Sequence, residues 1–288
     1  MAETGQSHQA TPFTEHAPDR TGNNLKKWPD IRRLDKPTRH NAKLETVWQR
    51  LKSGRPRAVG LEVPVDVWSK QIESNPTKNT GSRTSSEAID NTELDRMIDI
   101  IRASSSPMIA VGGGAQGYSE HVCALAEKIS APVMAFRTGH GVLSSEHALG
   151  IDMPTAHRLW PDCDLIIGLG SRLQTQRMGW GMDDRLKVIH IDMDEDELSR
   201  ISSPDAGICG DLEQVLPKLL SALGQQPDRQ KWADHVADIK TSTRAELLET
   251  LAPQAAWIQA IRTAFPRDGI FVDELAQVGY VSRILFPT

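Results

Sequence analysis

A glycine-rich turn is the pattern in this sequence most directly suited to binding a ligand. Gly112, Gly114 and Gly117 fit the spacing G-x-G-x-x-G, after a short apolar run and before a helical pattern. Glycine lets the backbone turn sharply and approach a pyrophosphate, and the following helix start offers free N–H groups. A complete dinucleotide pattern also places an acidic residue about 20 positions further on, where this chain has Phe136 and Arg137. An arginine suits the 2′-phosphate of NADP, so two interpretations stand: a nucleotide site, or glycines that only permit close packing.

Other side chains have suitable types for catalysis or metal binding but lack suitable surroundings. His140 lies between two glycines, and the sequence places no carboxylate or nucleophile beside it, so we interpret it as a loop residue. His190 lies within an apolar strand and is interpreted as a core residue. The acidic run 192–197 lacks the central glycine of a calcium loop, which favours a solvated helix start. We therefore assign neither a catalytic residue nor a metal ligand.

Three apolar runs would position the glycine turn. They are Pro107 to Val111, Asp164 to Leu169 and Lys187 to Asp192. Continuous apolar runs that alternate with helical patterns are typical of strands buried on both faces of a parallel sheet. The sequence therefore predicts an α/β fold with a doubly wound, mainly parallel six-stranded sheet and partial flanking α/β segments. In such sheets ligands bind at the carboxyl ends of the strands, so we expect Gly112 to Gly117 to face an open crevice there.

Composition shifts divide the chain into one complete domain and several flanking segments. Residues 1–40 are polar and are predicted to be a disordered or poorly ordered leader. A helix and a strand are predicted at 41–68, followed by a linker at 69–90 and the central α/β domain at 91–224. A linker and a helix follow at 225–255. The last segment, 256–288, is predicted to contain a helix, a strand at 270–272 and an apolar tail. A single helix and strand cannot bury a core, so 41–68 and 256–288 are interpreted as parts of two further domains.

Charge and cysteine content narrow the class of partner. The net charge of the 288 residues is −5, which disfavours nucleic acid and anionic membranes as partners. No apolar run is long enough to span a bilayer, and the polar N-terminus lacks the apolar core of a signal peptide. Cys123, Cys163 and Cys209 are few, odd in number and widely spaced. We therefore predict a cytoplasmic protein with neither a disulfide framework nor a zinc site.

Several sequence segments, and their order along the chain, resemble those of the thiamine-diphosphate-dependent enzymes in the group of acetolactate synthase and benzaldehyde lyase. We call these short segments phrases. The phrase 53–66 resembles the last strand of the family's N-terminal, pyrimidine-binding domain. The phrase 270–277 resembles the opening strand of its C-terminal, diphosphate-binding domain. The phrases that resemble the central domain are 107–114, 164–173, 187–194 and 208–211. The resemblance covers roughly Ala42 to Thr288 in the family's order.

The resemblance implies cofactors, substrates and candidate site residues. Its cofactors are thiamine diphosphate and Mg²⁺, and its substrates are small 2-keto acids or aldehydes. The segment that resembles the mouth of the diphosphate site is Glu274, Leu275, Ala276 and Gln277, with alanine in place of the family's glycine. In synthases the central domain also binds FAD, so FAD is a candidate here. Gly112, Gly113 and Gly114 are the candidate cofactor-binding residues of that domain.

Two departures from the family pattern shape the functional hypothesis. We find no counterpart of the glutamate that drives ylid formation, nor of the Gly-Asp-Gly…Asn motif that holds metal and diphosphate. We therefore expect a truncated or split carboligase, lyase or decarboxylase that is inactive as this chain alone, and that forms a homo-oligomer or is completed by another chain. The alternatives are a non-catalytic or partner-completed module and an oxidoreductase that binds FAD or NADP.

Overall fold

The structure is a computed structural model that describes residues 31–34, 36, 40–52, 58–68, 70–71, 89–274 and 276–288. The chain divides into two compact units, residues 1–84 and 85–288. The described part of the first unit contains β1 (Ile31–Arg33), α1 (His40–Lys52), β2 (Gly60–Glu62) and α2 (Val65–Trp68). β1 and β2 pair in parallel. β1 thus lies within the segment 1–40 that was predicted to be poorly ordered; its partner comes about thirty residues later, which local composition cannot reveal.

The second unit alternates strands and helices. Its strands are β3 (Pro107–Val111), β4 (Val133–Ala135), β5 (Gly150–Ile151), β6 (Leu165–Leu169), β7 (Lys187–Asp192) and β8 (Ala206–Cys209). Its helices are α3 (Asn91–Ala103), α4 (Ser119–Ile129), α5 (Met153–Leu159), α6 (Gln174–Gly179), α7 (Glu195–Ser199), α8 (Leu212–Ala222), α9 (Gln230–Thr250), α10 (Ala252–Ala264) and α11 (Gln277–Leu285). Among these described helices, none has the length and apolarity needed to cross a membrane.

The six strands of the second unit form one sheet in the order β5-β4-β3-β6-β7-β8, and every pair is parallel. The chain enters at β3, runs outward through β4 to β5, then returns to place β6 against the other side of β3. The direction of winding therefore reverses between β3 and β6, which is the topological switch point of a doubly wound sheet. The predicted fold is confirmed.

Both faces of the sheet are covered, which explains why its strands read as continuous apolar runs. Along β3, Ile109 and Val111 belong to the core formed with α3, α4 and α8. Met108 and Ala110 belong to the opposite core, which includes side chains from α5 and α9. In that second core the buried Trp232 also donates its indole N–H to the Pro107 carbonyl at 3.0 Å. Every residue of β3 is thus buried whichever way its side chain points.

The C-terminal helices α10 and α11 build a small third core around Ile258 and Leu285. The predicted strand at 270–272 is wrong, because this segment is assigned to no strand. Ile270 and Val272 are 87% and 83% exposed, whereas Phe271 stacks on Phe286 with ring centroids 4.2 Å apart. The alternating pattern is present, but aromatic packing rather than a strand ladder holds the segment.

Candidate functional site

Three loops meet at the carboxyl edge of the sheet, around the switch point. The glycine turn after β3 lies against Gly170, which follows β6. The amide of Gly112 donates to the Leu169 carbonyl, and the amide of Gly114 donates to the Gly170 carbonyl, both at 3.1 Å. A Cβ on Gly112 would lie 2.3 Å from the Gly170 oxygen, and a Cβ on Gly114 would lie 2.7 Å from the Gly170 Cα. The contact between these loops therefore requires glycine at both positions.

The loop after β4 clamps the same turn from its other side. A Cβ on Gly139 would lie 2.4 Å from the Val111 oxygen, so backbone contacts backbone here as well. The side-chain amide of Gln116 donates to the carbonyls of Thr138 at 2.8 Å and His140 at 2.9 Å. The glycine turn is thus held by both neighbouring loops.

The expectation of an open crevice at the switch point is wrong, because the loops there pack against each other. The loops after β3 and β6 are joined by hydrogen bonds, so the space between them is closed by backbone. A Cβ added to Gly112 or Gly114 would point at Gly170, so the absence of a side chain makes room for that loop and not for a ligand. Gly113 and Gly114 are nonetheless exposed on the outer surface. Their role in cofactor binding stays a prediction, and the observed reason for glycine is close packing of loops.

A cleft of about 420 Å³ lies between the loop after β4 and the C-terminal segment. Its charged and titratable lining residues are Arg137, His140, Arg262, Arg267, Asp273 and Arg283. Arg283 pairs with Asp273 at 2.5 Å, and Arg267 pairs with Glu146 at 2.7 Å. Burial lowers the pKa of His140, a shift that nearby Asp273 opposes. Four guanidinium groups against one lining carboxylate give the cleft an excess of positive charge, suited to an anionic ligand.

The segment expected at the diphosphate site is an exposed turn that leads into α11. Glu274, Ala276 and Gln277 are exposed, and Leu275 lies outside the described residues. The Ala276 amide donates to the Glu274 carbonyl at 2.8 Å. A Cβ on Gly279 would lie 2.0 Å from that same carbonyl oxygen, so the turn is tightly packed. The role of these residues in cofactor binding stays a prediction.

Within the described residues, no three carboxylates converge to form an all-oxygen metal site. Mg²⁺ prefers an octahedron of oxygen ligands. Within the described ranges, one group of His, Cys, Asp and Glu side chains brings three ligand atoms together, and it contains Cys123, Glu127 and His147. A thiol and an imidazole are poor ligands for Mg²⁺. No catalytic step through thiamine diphosphate can therefore be derived from these residues.

His190 and the acidic run lie beside the same edge of the sheet. His190 is fully buried, and its Nε2–H donates to the Ser171 carbonyl at 2.7 Å. Burial lowers the pKa of His190, as expected for a core histidine. Glu195 and Asp196 are exposed at the start of α7, in line with a solvated helix start. Glu197 departs from that prediction, because it is 3% exposed and binds the Arg200 guanidinium.

The cluster of Cys123, Glu127 and His147 was missed when the cysteines were considered alone. Cys123 Sγ lies 3.9 Å from His147 Nε2, which lies 3.2 Å from Glu127 Oε1. The thiol and the carboxylate approach the same ring nitrogen, so this is not a relay that activates a nucleophile. Burial and the neighbouring Glu127 raise the pKa of the Cys123 thiol. The spacing Cys-x-x-x-Glu on one helix face, with a histidine twenty residues later, is the signal that could have revealed the cluster.

Comparison with known proteins identifies the second unit. Residues 94–219 match the family described as "Thiamine pyrophosphate enzyme, central domain". The acetolactate synthase isozyme 1 large subunit of Escherichia coli K12 is 26% identical over 235 residues, which is 78% of this chain and 42% of that protein. Glyoxylate carboligase of Escherichia coli O157:H7 is 26% identical over 254 residues, which is 80% of this chain and 42% of that protein.

A solved structure supports the fold. An X-ray structure from Mycobacterium smegmatis, named as a thiamin diphosphate-dependent enzyme, matches with a TM-score of 0.58 and 19% identity. The match covers 71% of this chain and 41% of that one. The chain thus spans less than half the length of these relatives. Residues 94–219 thus belong to the central domain of the thiamine pyrophosphate enzyme family, and the chain is similar to enzymes of the acetolactate synthase-like group.

Proposed function

We propose that this chain provides the central domain of a thiamine-diphosphate-dependent enzyme that acts on small 2-keto acids or aldehydes. The reaction would be carboligation, lysis or decarboxylation. The observation that carries the proposal is the doubly wound sheet whose residues 94–219 match the family's central domain. The similarity to a synthase and a carboligase supports the substrate class. When bound, thiamine diphosphate supplies the electron sink for making or breaking a bond at a carbonyl carbon.

In that activity, the role of this chain is to hold neighbouring segments of the enzyme in position. The glycine turn and its neighbouring loops form a tightly packed edge on the central sheet, suited to holding neighbouring segments in fixed positions. The described residues bring together no group of three carboxylates as ligands for Mg²⁺. The proposal therefore includes completion of the active site by groups outside the described residues, in a homo-oligomer or with another chain. A cytoplasmic location is part of the proposal, since the three cysteines are free thiols.

FAD is proposed as a second cofactor with a supporting role. The support is the exposure of Gly113 and Gly114 at the switch point and, separately, a cleft that several arginines line. Fluorescence titration of the purified chain with FAD and with NADP tests this part. Saturable quenching by FAD is expected. Tight NADP binding with hydride transfer would instead favour the oxidoreductase hypothesis.

The proposed function is tested by turnover. The purified 288-residue chain is assayed with Mg²⁺, thiamine diphosphate and either pyruvate or benzaldehyde. It is assayed alone and after co-purification with a chain that carries a Gly-Asp-Gly…Asn motif, encoded next to it. We expect activity in the combined sample only. Turnover by the chain alone would refute completion by another chain and would leave a homo-oligomer of this chain as the active form. Inactivity of every combination would refute the enzymatic role.

A further inference from the structure

We propose that Cys123, Glu127 and His147 form a binding site for a divalent transition metal ion of the zinc class. Cys123 and Glu127 lie one turn apart on α4, so their side chains share a face of the helix. His147 comes from the loop before β5. The thiol sulfur, one carboxylate oxygen and the imidazole Nε2 all lie within 4.8 Å of one another. This site lies outside the switch-point loops and is independent of the proposed function.

The distances suit a tetrahedral ion. Zinc binds sulfur at about 2.3 Å and nitrogen or oxygen at about 2.0–2.2 Å, which places tetrahedral ligand atoms roughly 3.3–3.7 Å apart. The sulfur–nitrogen and nitrogen–oxygen distances here are 3.9 Å and 3.2 Å. The sulfur and the carboxylate oxygen lie within 4.8 Å of each other, so closing shifts of at most about one ångström would admit the ion.

The ligand types select the class of ion. A thiolate with an imidazole favours zinc and similar transition metals, whereas magnesium and calcium prefer oxygen ligands throughout. The side chains of His147 and Glu127 are 27% and 60% exposed, so solvent and ion can reach the cluster. Three protein ligands leave a fourth position for water.

Binding has two identifiable costs. The Cys123 thiol must release its proton, and His147 must change its tautomer. The Leu149 amide donates to His147 Nδ1 at 3.1 Å, so the metal-free ring carries its proton on Nε2 and directs it at Glu127. Coordination through Nε2 moves that proton to Nδ1 and breaks the bond from Leu149. One such hydrogen bond corresponds to roughly a tenfold loss of affinity at most. Three convergent ligands, two of them anionic when coordinated, outweigh that loss.

The bound ion would link the loop that leads into the edge strand β5 to helix α4. The Lys240 ammonium already donates to the carbonyls of Ser145 at 3.2 Å and His147 at 2.7 Å. The Gly150 amide donates to the His147 carbonyl at 3.0 Å, directly at the start of β5. β5 has only two residues. A metal bridge from α4 to His147 would therefore stabilise the edge of the sheet.

The test is metal binding by the purified 288-residue chain after treatment with a chelator. We expect one equivalent of Zn²⁺ in competition with a chromophoric chelator, and Co²⁺ should give a thiolate-to-metal charge-transfer band. Zn²⁺ should also raise the melting temperature. Cys123→Ser and Glu127→Gln should each weaken binding at least tenfold, and Cys123→Ser should abolish the Co²⁺ band. Cys209→Ser removes an exposed thiol elsewhere and should leave both unchanged.

The zinc site can be tested even if one variant folds poorly. Glu127→Gln preserves the shape of an exposed side chain, and circular dichroism checks each variant. The proposal is overturned if the wild-type chain binds no stoichiometric Zn²⁺. It is equally overturned if the folded Cys123→Ser variant keeps the Co²⁺ band, or if the band disappears with Cys209→Ser.

Discussion

At the scale of single residues, Gly112 shows how a backbone contact can fix a residue type. Its backbone is extended, with φ −118° and ψ −167°, so any residue could adopt its dihedral angles. The Gly170 oxygen and the Ser171 Cα, which a Cβ would approach to 2.3 Å and 2.8 Å, exclude a side chain. The glycine is therefore explained by the neighbouring loop and not by its own conformation.

Substitution tests this explanation. Gly112→Ala should destabilise the second unit by about 1–3 kcal/mol, the usual cost of overpacking, because both colliding groups are backbone. Gly179→Ala is the control, since a Cβ there meets no atom within 4 Å. Alanine also favours the helix over glycine by about 0.5–1 kcal/mol. Urea denaturation measures both variants, and equal midpoints would contradict the role assigned to the loop contact.

The buried His190 predicts how stability depends on pH. Burial lowers its pKa below 6.5 in the folded chain, so below pH 6.5 the unfolded chain binds a proton that the folded chain does not. Stability should therefore fall as the pH drops from 6.5 toward the folded pKa. At pH 5.5 the loss from this group is at most about 1.4 kcal/mol.

The variant His190→Gln isolates that contribution. It removes the titration but can still donate to Ser171, so the dependence of the unfolding free energy between pH 7 and pH 5.5 should become less steep. An unaltered slope for His190→Gln would show that His190 does not carry the effect.

At the scale of elements, α9 covers one face of the sheet and is tied to β3 by a single side chain. Trp232 is 6% exposed and donates to the Pro107 carbonyl. Trp232→Phe should cost about 1–3 kcal/mol through the lost hydrogen bond and the smaller ring. Trp257→Phe, at a side chain that is 66% exposed, should cost less than about 0.5 kcal/mol. Thermal unfolding compares the two, and equal losses would contradict this role of α9.

The same scale shows which elements a sequence can predict. β3, β6 and β7 were predictable because burial on both faces produces continuous apolar runs. β5 has only two residues, too few for a periodic signal. The segment 270–272 has a strand-like pattern, but its aromatic side chain packs on a partner distant in sequence. A segment forms a strand only where a neighbouring strand provides backbone hydrogen bonds, and the local sequence does not show whether such a neighbour is present.

The candidate site was predictable only in its position. The glycine spacing and the apolar run placed Gly112 to Gly117 at the carboxyl edge of the sheet, where the structure has them. The closure of that edge by Gly170 depends on the approach of a loop almost sixty residues away. The cluster of Cys123, Glu127 and His147 depends likewise on a loop that folds back onto α4. Contacts of this kind follow from topology, which spacing along the chain does not encode.

At the scale of the whole molecule, the proposed function joins a central domain to an activity that needs more groups than those described. The relatives are more than twice as long as the matched part of this chain. The described residues offer one metal-binding cluster, which is suited to zinc and not to a magnesium-bound diphosphate. The central claim is therefore that this chain, by itself, does not hold thiamine diphosphate.

Isothermal titration calorimetry of the purified 288-residue chain with thiamine diphosphate in excess Mg²⁺ tests this claim most directly. Circular dichroism first confirms that the sample is folded, and titration into buffer supplies the blank. The account predicts heats no larger than the blank up to millimolar ligand. Saturable binding at one equivalent per chain would contradict it and would place the cofactor ligands within these 288 residues.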